Sequence, residues 1–204
     1  MPSLVPEWKS FQQTVVRLDE VISSSSSLSP GHRKIIAELV LVRLAIGIEN
    51  ALSRAAYKIA AGATFVDGTV ANLSAPQATV TRAELFLKTD GGVLAHPKGI
   101  RWLDGGEVAR VLLLAVDASD ASTTIGARHG GTLSRTRKIR NHIAHRNRTS
   151  STAFQSVVRQ VYGAKLNSVT PGTLLLTPKA GSVPLVRQLL IRSRVMMKEF
   201  VRAT

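Results

Sequence analysis

Apolar positions recur at three- and four-residue spacing through most of the chain, the pattern of helices that each bury one face. Trp8, Phe11, Val15, Leu18 and Ile22 keep it over residues 6–22, which open on Pro6-Glu7, a pair suited to a first helical turn. A longer run spans 31–61. There Ile35, Ile36, Leu39, Val40, Leu44, Ala45, Ile48, Ala51, Leu52 and Ala55 cover a face wide enough for burial in a bundle or at a dimer interface. Gly47 is small enough to let a neighbouring helix approach, and Gly62 stops the run. Glu49 interrupts the apolar series and reads first as an ion-pair partner for Arg43 or Arg54, with a carboxylate turned toward a functional site as the alternative. Asp104-Gly105-Gly106-Glu107 places acid in the first turn of a third helix, carried to about 118 by Val108, Val111, Leu112 and Ala115. Residues 134–147 predict a fourth, capped by Thr132 or Ser134, with Leu133, Ile139 and Ile143 inward. Thr149-Ser150-Ser151-Thr152 would cap a fifth, 153–163, burying Phe154, Val157, Val158 and Val161. The last, 183–202, turns most of Leu185, Leu189, Ile191, Val195, Met196 and Phe200 inward.

The stretches between these helices are polar or punctuated. Ser23 to Ser27 and the Leu28-Ser29-Pro30-Gly31 that follows read as a loop. Residues 62–103, broken by Gly62, Gly68, Pro76, Gly91-Gly92, Pro97 and Gly99, predict a loop-rich insertion with one or two short strands or a helical turn. It is longer than a minimal bundle requires, which makes it a candidate lid or partner-binding element. Its His96 reads as a solvated loop residue and its Trp102 as a packing anchor. Gly126 and Gly130-Gly131 lack the strand–loop–helix setting and the Lys-Ser/Thr ending of a phosphate-binding loop, while His129 is a candidate extra phosphate ligand. Thr173 to Thr177, between Pro171-Gly172 and Pro178, reads as a short strand or extended stretch. The fold class expected is therefore all-α, a single domain over 1–204 with at most a short strand pair.

Composition refines this picture. Of 204 residues 44% are apolar and only 4% aromatic, so the core must be aliphatic. The absence of Cys excludes disulfides and thiolate metal sites. No start resembles a signal peptide, and no apolar run reaches the roughly 18 residues of a membrane span, so a soluble cytoplasmic protein without membrane contact is expected.

Charge points to a partner. The chain carries 27 Lys and Arg against 13 Asp and Glu. From Ala121 to Lys198 there is no acidic residue and there are fourteen basic ones, so the whole net charge of +14 resides in that segment. Such a field concentrates polyanions, and nucleic acid is the commonest one in a cell. The densest part is Arg137-Lys-Ile-Arg-Asn-His-Ile-Ala-His-Arg-Asn-Arg148, with five cations and two imidazoles in twelve residues. On a helix Arg137, Asn141 and His145 share one stripe, and Lys138, His142 and Arg146 another. Arg140 and His145 lie roughly 140° apart around a regular helix. An imidazole exchanges protons near neutral pH and a guanidinium holds two phosphate oxygens. With an RNA 2′-hydroxyl as nucleophile, that pair suffices for strand cleavage without metal.

Arg140-Asn141-x-x-x-His145 resembles the Arg-polar-x-x-x-His signature of the HEPN superfamily, small all-helical domains of prokaryotic toxins, phage-defence proteins and RNA-processing enzymes. Members typically read Arg-Asn-x-x-x-His and then Gly, with a small-apolar pair before the His. Ile143-Ala144 fits the pair, and Arg146 departs from the Gly. The resemblance implies a metal-free and cofactor-free endoribonuclease that leaves 2′,3′-cyclic phosphate ends. By it Arg140 would bind the scissile phosphate, His145 would act as general base or acid, and Asn141 would orient the imidazole or the phosphate. His142 and Arg146 would assist, and Arg135, Arg137, Lys138 and Arg148 would follow the RNA backbone. It also implies a homodimer whose motifs meet in one cleft, and an antitoxin or infection trigger as regulator. Two readings of other classes stand beside it. One is a nucleic-acid-binding module without catalysis. The other is a bundle whose basic face binds an acidic protein, a nucleotide or a ring-shaped complex.

Overall fold

The computed structural model describes residues 1–91, 99–178 and 181–202. The fold is all-α. Its helices are α1 (Val5–Ser24), α2 (Pro30–Ala60), α3 (Val80–Lys88), α4 (Gly105–Leu112), α5 (Ala121–His145), α6 (Arg148–Tyr162), α7 (Pro171–Leu176) and α8 (Leu185–Phe200). Instead of a strand pair, the described residues hold only isolated bridges, joining Ser3 to Thr64, Thr64 to Val70 and Leu73 to Val116. The insertion contributes α3, and its His96 lies outside the described residues. No helix among the described residues is long and apolar enough to cross a membrane.

α2 is the axis. Ser29 caps it by accepting the backbone N–H of His32, and Val40, Leu41, Leu44, Ala45, Ile48, Leu52, Ala55 and Ala56 run buried along it. α1, α3, α5, α7 and α8 all pack on this helix, as a face this wide requires. Phe11 and Val15 meet it from α1, Ala83 and Leu87 enter the same core from α3, and Leu189, Met196 and Phe200 from α8. The core is mainly aliphatic, with a few aromatic rings such as Phe11, Phe154 and Phe200 set into it. Ile35 and Leu39 were expected on the inward face, yet they are 58% and 61% exposed. They sit on the far side of the cylinder from the residues that α1 and α8 cover. Ile191 and Val195 of α8 are likewise turned out, at 57% and 44%.

The largest departure from the sequence reading is α5. The motif helix begins thirteen residues before Ser134, with Asp120 accepting the Ser122 backbone N–H at 2.9 Å in place of a cap by Thr132 or Ser134. Glycines that read as a loop lie inside it. The reason is a helix crossing. A Cβ on Gly126 would stand 2.1 Å from the carbonyl oxygen of Gly105, and a Cβ on Gly105 would stand 2.1 Å from the carbonyl oxygen of Gly126. The α4 and α5 backbones therefore touch, and only glycine fits on either side.

Local hydrogen bonding explains the other shifts. α4 ends at Leu112, short of 118, and the Asp117 carboxylate accepts from the Ser119 backbone N–H and hydroxyl, bonds that favour a turn over further helix. Residues 173–177, read as a strand, belong mostly to α7. Thr170 caps that helix, Pro171 fits its first turn, and Glu38 accepts the Gly172 backbone N–H at 2.9 Å. α6 starts earlier than 153, because Asn147 is its cap.

The crossing yields a paired prediction. Gly126→Ala forces backbone against backbone and should lower stability by about 3 kcal/mol or more, since no flexible side chain can yield. Gly131→Ala, with nothing within 4 Å of its Cβ, should raise stability by about 0.5–1 kcal/mol through helix propensity. Urea unfolding of both variants checks this. Equal and small effects would contradict so close a contact.

Candidate active site

The C-terminal part of α5 and the first turn of α6 open onto a cleft of about 630 Å³. Arg137, Lys138, Arg140, Asn141 and His145 line it from α5, and Asn147, Thr149, Ser150 and Ala153 from the start of α6. Ile100, Arg101 and Leu103 close one side from the end of the insertion, and Glu49 enters from α2. Arg140 and His145 thus share one cavity despite their angular separation. His145 is the last helical residue, so the cavity wraps around the end of the cylinder.

Each cation has a distinct situation. Arg140 donates to the Asn141 side-chain oxygen at 3.0 Å, so Asn141 steadies the guanidinium, the neighbour it was not expected to orient. Arg137 donates to Asp104 at 2.7 Å. Burial alone would push the Asp104 carboxyl up. The hydrogen bonds from Arg137 and from the Glu107 backbone nevertheless hold it below the ordinary carboxylate range. Arg137 therefore braces α5 against the cap of α4 while one edge still faces the cleft. Lys138 donates to Ser156 at 3.2 Å and ties α5 to α6. Arg101 reaches Glu107 at 3.7 Å.

Five sequence-selected residues sit elsewhere. His142 stacks on Phe154, with ring centres 4.5 Å apart and planes 14° from parallel, and contacts Ser151 at 3.5 Å. Burial pushes its imidazole below the ordinary range and Arg146 pushes it further, against a weaker opposing pull from Glu38. Arg146 and Arg148 are exposed and do not line the cleft. Arg135 lines a separate cavity with Gln160, Thr177 and Gln188. His129 lies toward the other end of α5, where its Nε2 meets Glu199 of α8 at 2.8 Å, so it joins two helices and takes no part in the cleft.

Glu49 is the main addition. Among the described residues it makes no hydrogen bond or ion pair, so the reading that gave it Arg43 or Arg54 as partner is replaced by a carboxylate facing the motif. The first turn of α6 is the second addition. Asn147 accepts the Ser150 backbone N–H at 2.8 Å, and the remaining unbonded N–H groups that begin any helix favour an anion there. Asn147, a favoured cap residue just past the motif, carried that signal in the sequence. Trp102 is 7% exposed and meets the Tyr57 ring edge-on at 5.9 Å, a packing anchor as its sequence context suggested.

The arrangement offers guanidinium, ammonium and helix-end donors for phosphate, with one imidazole and one carboxylate able to move protons.

His142 supplies a test of the packing behind the cleft. Because its folded form resists protonation, the unfolded chain gains a proton first as pH falls below about 6.5, and stability is lost there. Wild type should lose more stability than His142→Phe, which keeps the stacked ring, between about pH 7.5 and 5. Chemical denaturation at both pH values measures the difference. An equal loss in the two proteins would place His142 in solvent.

No protein-family model matches the chain, and no curated protein and no solved structure matches it. The resemblance to the HEPN superfamily therefore rests on Arg140-Asn141-x-x-x-His145 and what surrounds it.

Proposed function

We propose that the protein is a metal-independent endoribonuclease of the HEPN type, cutting RNA to 2′,3′-cyclic phosphate ends in the cytoplasm as a toxin or phage-defence effector. The observation that carries this reading is the convergence of Arg140, His145, Glu49 and the first turn of α6 on one cationic cleft. Arg140, steadied by Asn141, takes the non-bridging oxygens of the scissile phosphate and stabilises the charge that builds on them. The 2′-hydroxyl attacks phosphorus and the bond to the 5′ oxygen breaks. Glu49 receives the 2′ proton, and His145 returns a proton to the departing oxygen. Arg101, Lys138 and the α6 amides hold flanking phosphates, and the exposed Arg146 and Arg148 extend the track beyond the cleft.

A second copy of the chain belongs to this reading. Ile35, Leu39 and Ile46 are exposed on α2 at spacings of four and seven, and Glu49 follows three residues later on the same face. A dimer formed through that stripe stands at the edge of the cleft. An antitoxin with an acidic surface would find its counterpart in the segment that carries all the net charge.

The deciding experiment incubates purified protein with RNA in EDTA and analyses the product ends. Wild type should leave cyclic phosphate. His145→Ala should lose about 10²–10⁴-fold in rate, and Arg140→Ala about 10²–10³-fold. Glu49→Gln, which keeps the shape and removes the proton acceptor, should lose about 10²–10⁴-fold. RNA bound equally by all four proteins and cut by none would instead make the cleft a binding site without catalysis.

The interface has its own test. Leu39→Asp puts a charge in the middle of the apolar stripe and should convert a dimer to a monomer in sedimentation velocity with helix content unchanged. Unaltered sedimentation of wild type and variant as monomers would remove the second copy from the site.

A further inference from the structure

A second cavity, of about 220 Å³, lies between α5, α6 and the start of α8, away from the cleft. Arg135 faces it together with Gln160, Thr177 and Gln188. Arg137, which lines the cleft, is two residues further on, roughly 200° around the helix, so the two cavities occupy opposite sides of α5.

Arg135 is a half-buried cation without a counter-charge among the described residues. Its Nε is buried and has no hydrogen-bond partner, and no ion pair joins it to a carboxylate among the described residues. The sequence leaves little opportunity for one, because α5, α6, α7 and nearly all of α8 fall in the stretch without Asp or Glu. Burial pushes the Arg135 guanidinium down from its ordinary range, and the charge of Arg192 pushes it further. Arg192 lies one helical turn beyond Gln188 on the face of α8 that borders the cavity, so two guanidiniums stand on facing helices, one half-buried and one exposed, with amides, hydroxyls, Val161 and Leu185 around the first. A buried donor without an acceptor and two like charges in proximity both destabilise the empty site. A single ligand relieves both if it carries several acceptor oxygens and two negative charges. A monoanion such as a carboxylate would leave one cation uncompensated.

We propose that this cavity is a separate site for a phosphate dianion, held by Arg135 with Arg192 at its rim, and taken up either as inorganic phosphate or as the terminal phosphate of a mononucleotide. The site does not depend on RNA cleavage in the cleft. The ligand would bridge α5 to α8, so its binding should stabilise the folded chain by mass action.

Calorimetric titration at constant ionic strength, with inorganic phosphate replacing chloride, tests the site. It is run on wild type, Arg135→Gln, Arg192→Gln and Arg140→Ala, each first shown to melt cooperatively. Arg140→Ala weakens the cleft as a competing anion site and should still bind phosphate saturably. Arg135→Gln should weaken that binding at least tenfold, and Arg192→Gln, at an exposed position that the fold does not need, severalfold. Adenosine monophosphate run beside adenosine separates the two sources. Affinity equal to that of phosphate identifies a free-phosphate site, and affinity well above it, with none for adenosine, identifies a mononucleotide site. The proposal fails if Arg135→Gln and Arg192→Gln bind phosphate as wild type does. It also fails if Arg140→Ala abolishes all binding, which would put the anion in the cleft.

Discussion

The contact between the backbones of Gly105 and Gly126 governs how the rest is placed. Two helices this close cannot slide or roll without collision, so α4 is fixed along α5 to within a fraction of a residue. Asp104, immediately before Gly105, caps α4 and is thereby held where Arg137 can reach it at 2.7 Å. Leu103 and Arg101, just upstream, become the wall that faces Arg140 and Asn141 across the cleft. One pair of absent side chains thus sets the width of a cavity that begins about three turns further along α5, at Arg137.

Electrostatics explain why the basic segment folds against the rest. The segment lacks acid, so its counter-charges come from outside: Asp104 for Arg137, Glu199 for Arg128 and His129, Asp19 for Arg187. Exposed pairs of this kind contribute about 0–1 kcal/mol each, so they act less as glue than as selectors of register between a basic half and a mixed half. What they leave unmatched is informative. Arg140, with only the neutral Asn141 side chain, and Arg135, with no partner at its Nε, lie on opposite sides of α5. A field built this way weakens with salt, and any polyanion bound to it will be released as ionic strength rises.

The helical pattern was readable because apolar spacing along α1, α2, α6 and α8 reflects burial against a common axis. The motif was readable because Arg140, Asn141 and His145 are chemically conspicuous. What escaped is where local chemistry yields to tertiary contact. Gly126 has the sequence appearance of a loop, and only the approach of Gly105, more than twenty residues earlier, makes it a helix position. Thr173 to Leu176 have strand-like composition, yet a cap from Thr170 and a carboxylate from Glu38 settle them as a helix. Glu49 was ambiguous for a related reason. Its neighbours on α2 include two arginines, and nothing local says that the helix turns its carboxylate toward residues nearly a hundred positions away. His142 and His145, three apart in sequence, differ because one meets Phe154 and the other ends a helix.

Arg146 is the one position where the motif departs from the pattern it resembles, and its backbone bears on how much that matters. It terminates α5 in the left-handed region, at φ 44° and ψ 28°, with its N–H donating to the His142 carbonyl. Glycine enters that region freely, whereas a residue with a Cβ does so at a cost of about 1–2 kcal/mol. The chain therefore keeps the backbone turn that a glycine after the histidine would make, and substitutes only the side chain. That turn is what sends the chain from His145 straight into the Asn147 cap, so that the motif histidine and the first amides of α6 border the same cavity. The replacement alters charge at the mouth of the cleft and leaves its geometry in place. An added guanidinium at the mouth strengthens the positive field of the cleft in a way glycine could not, and that is the physical argument for reading Arg146 as a variation on the motif, not a loss of it.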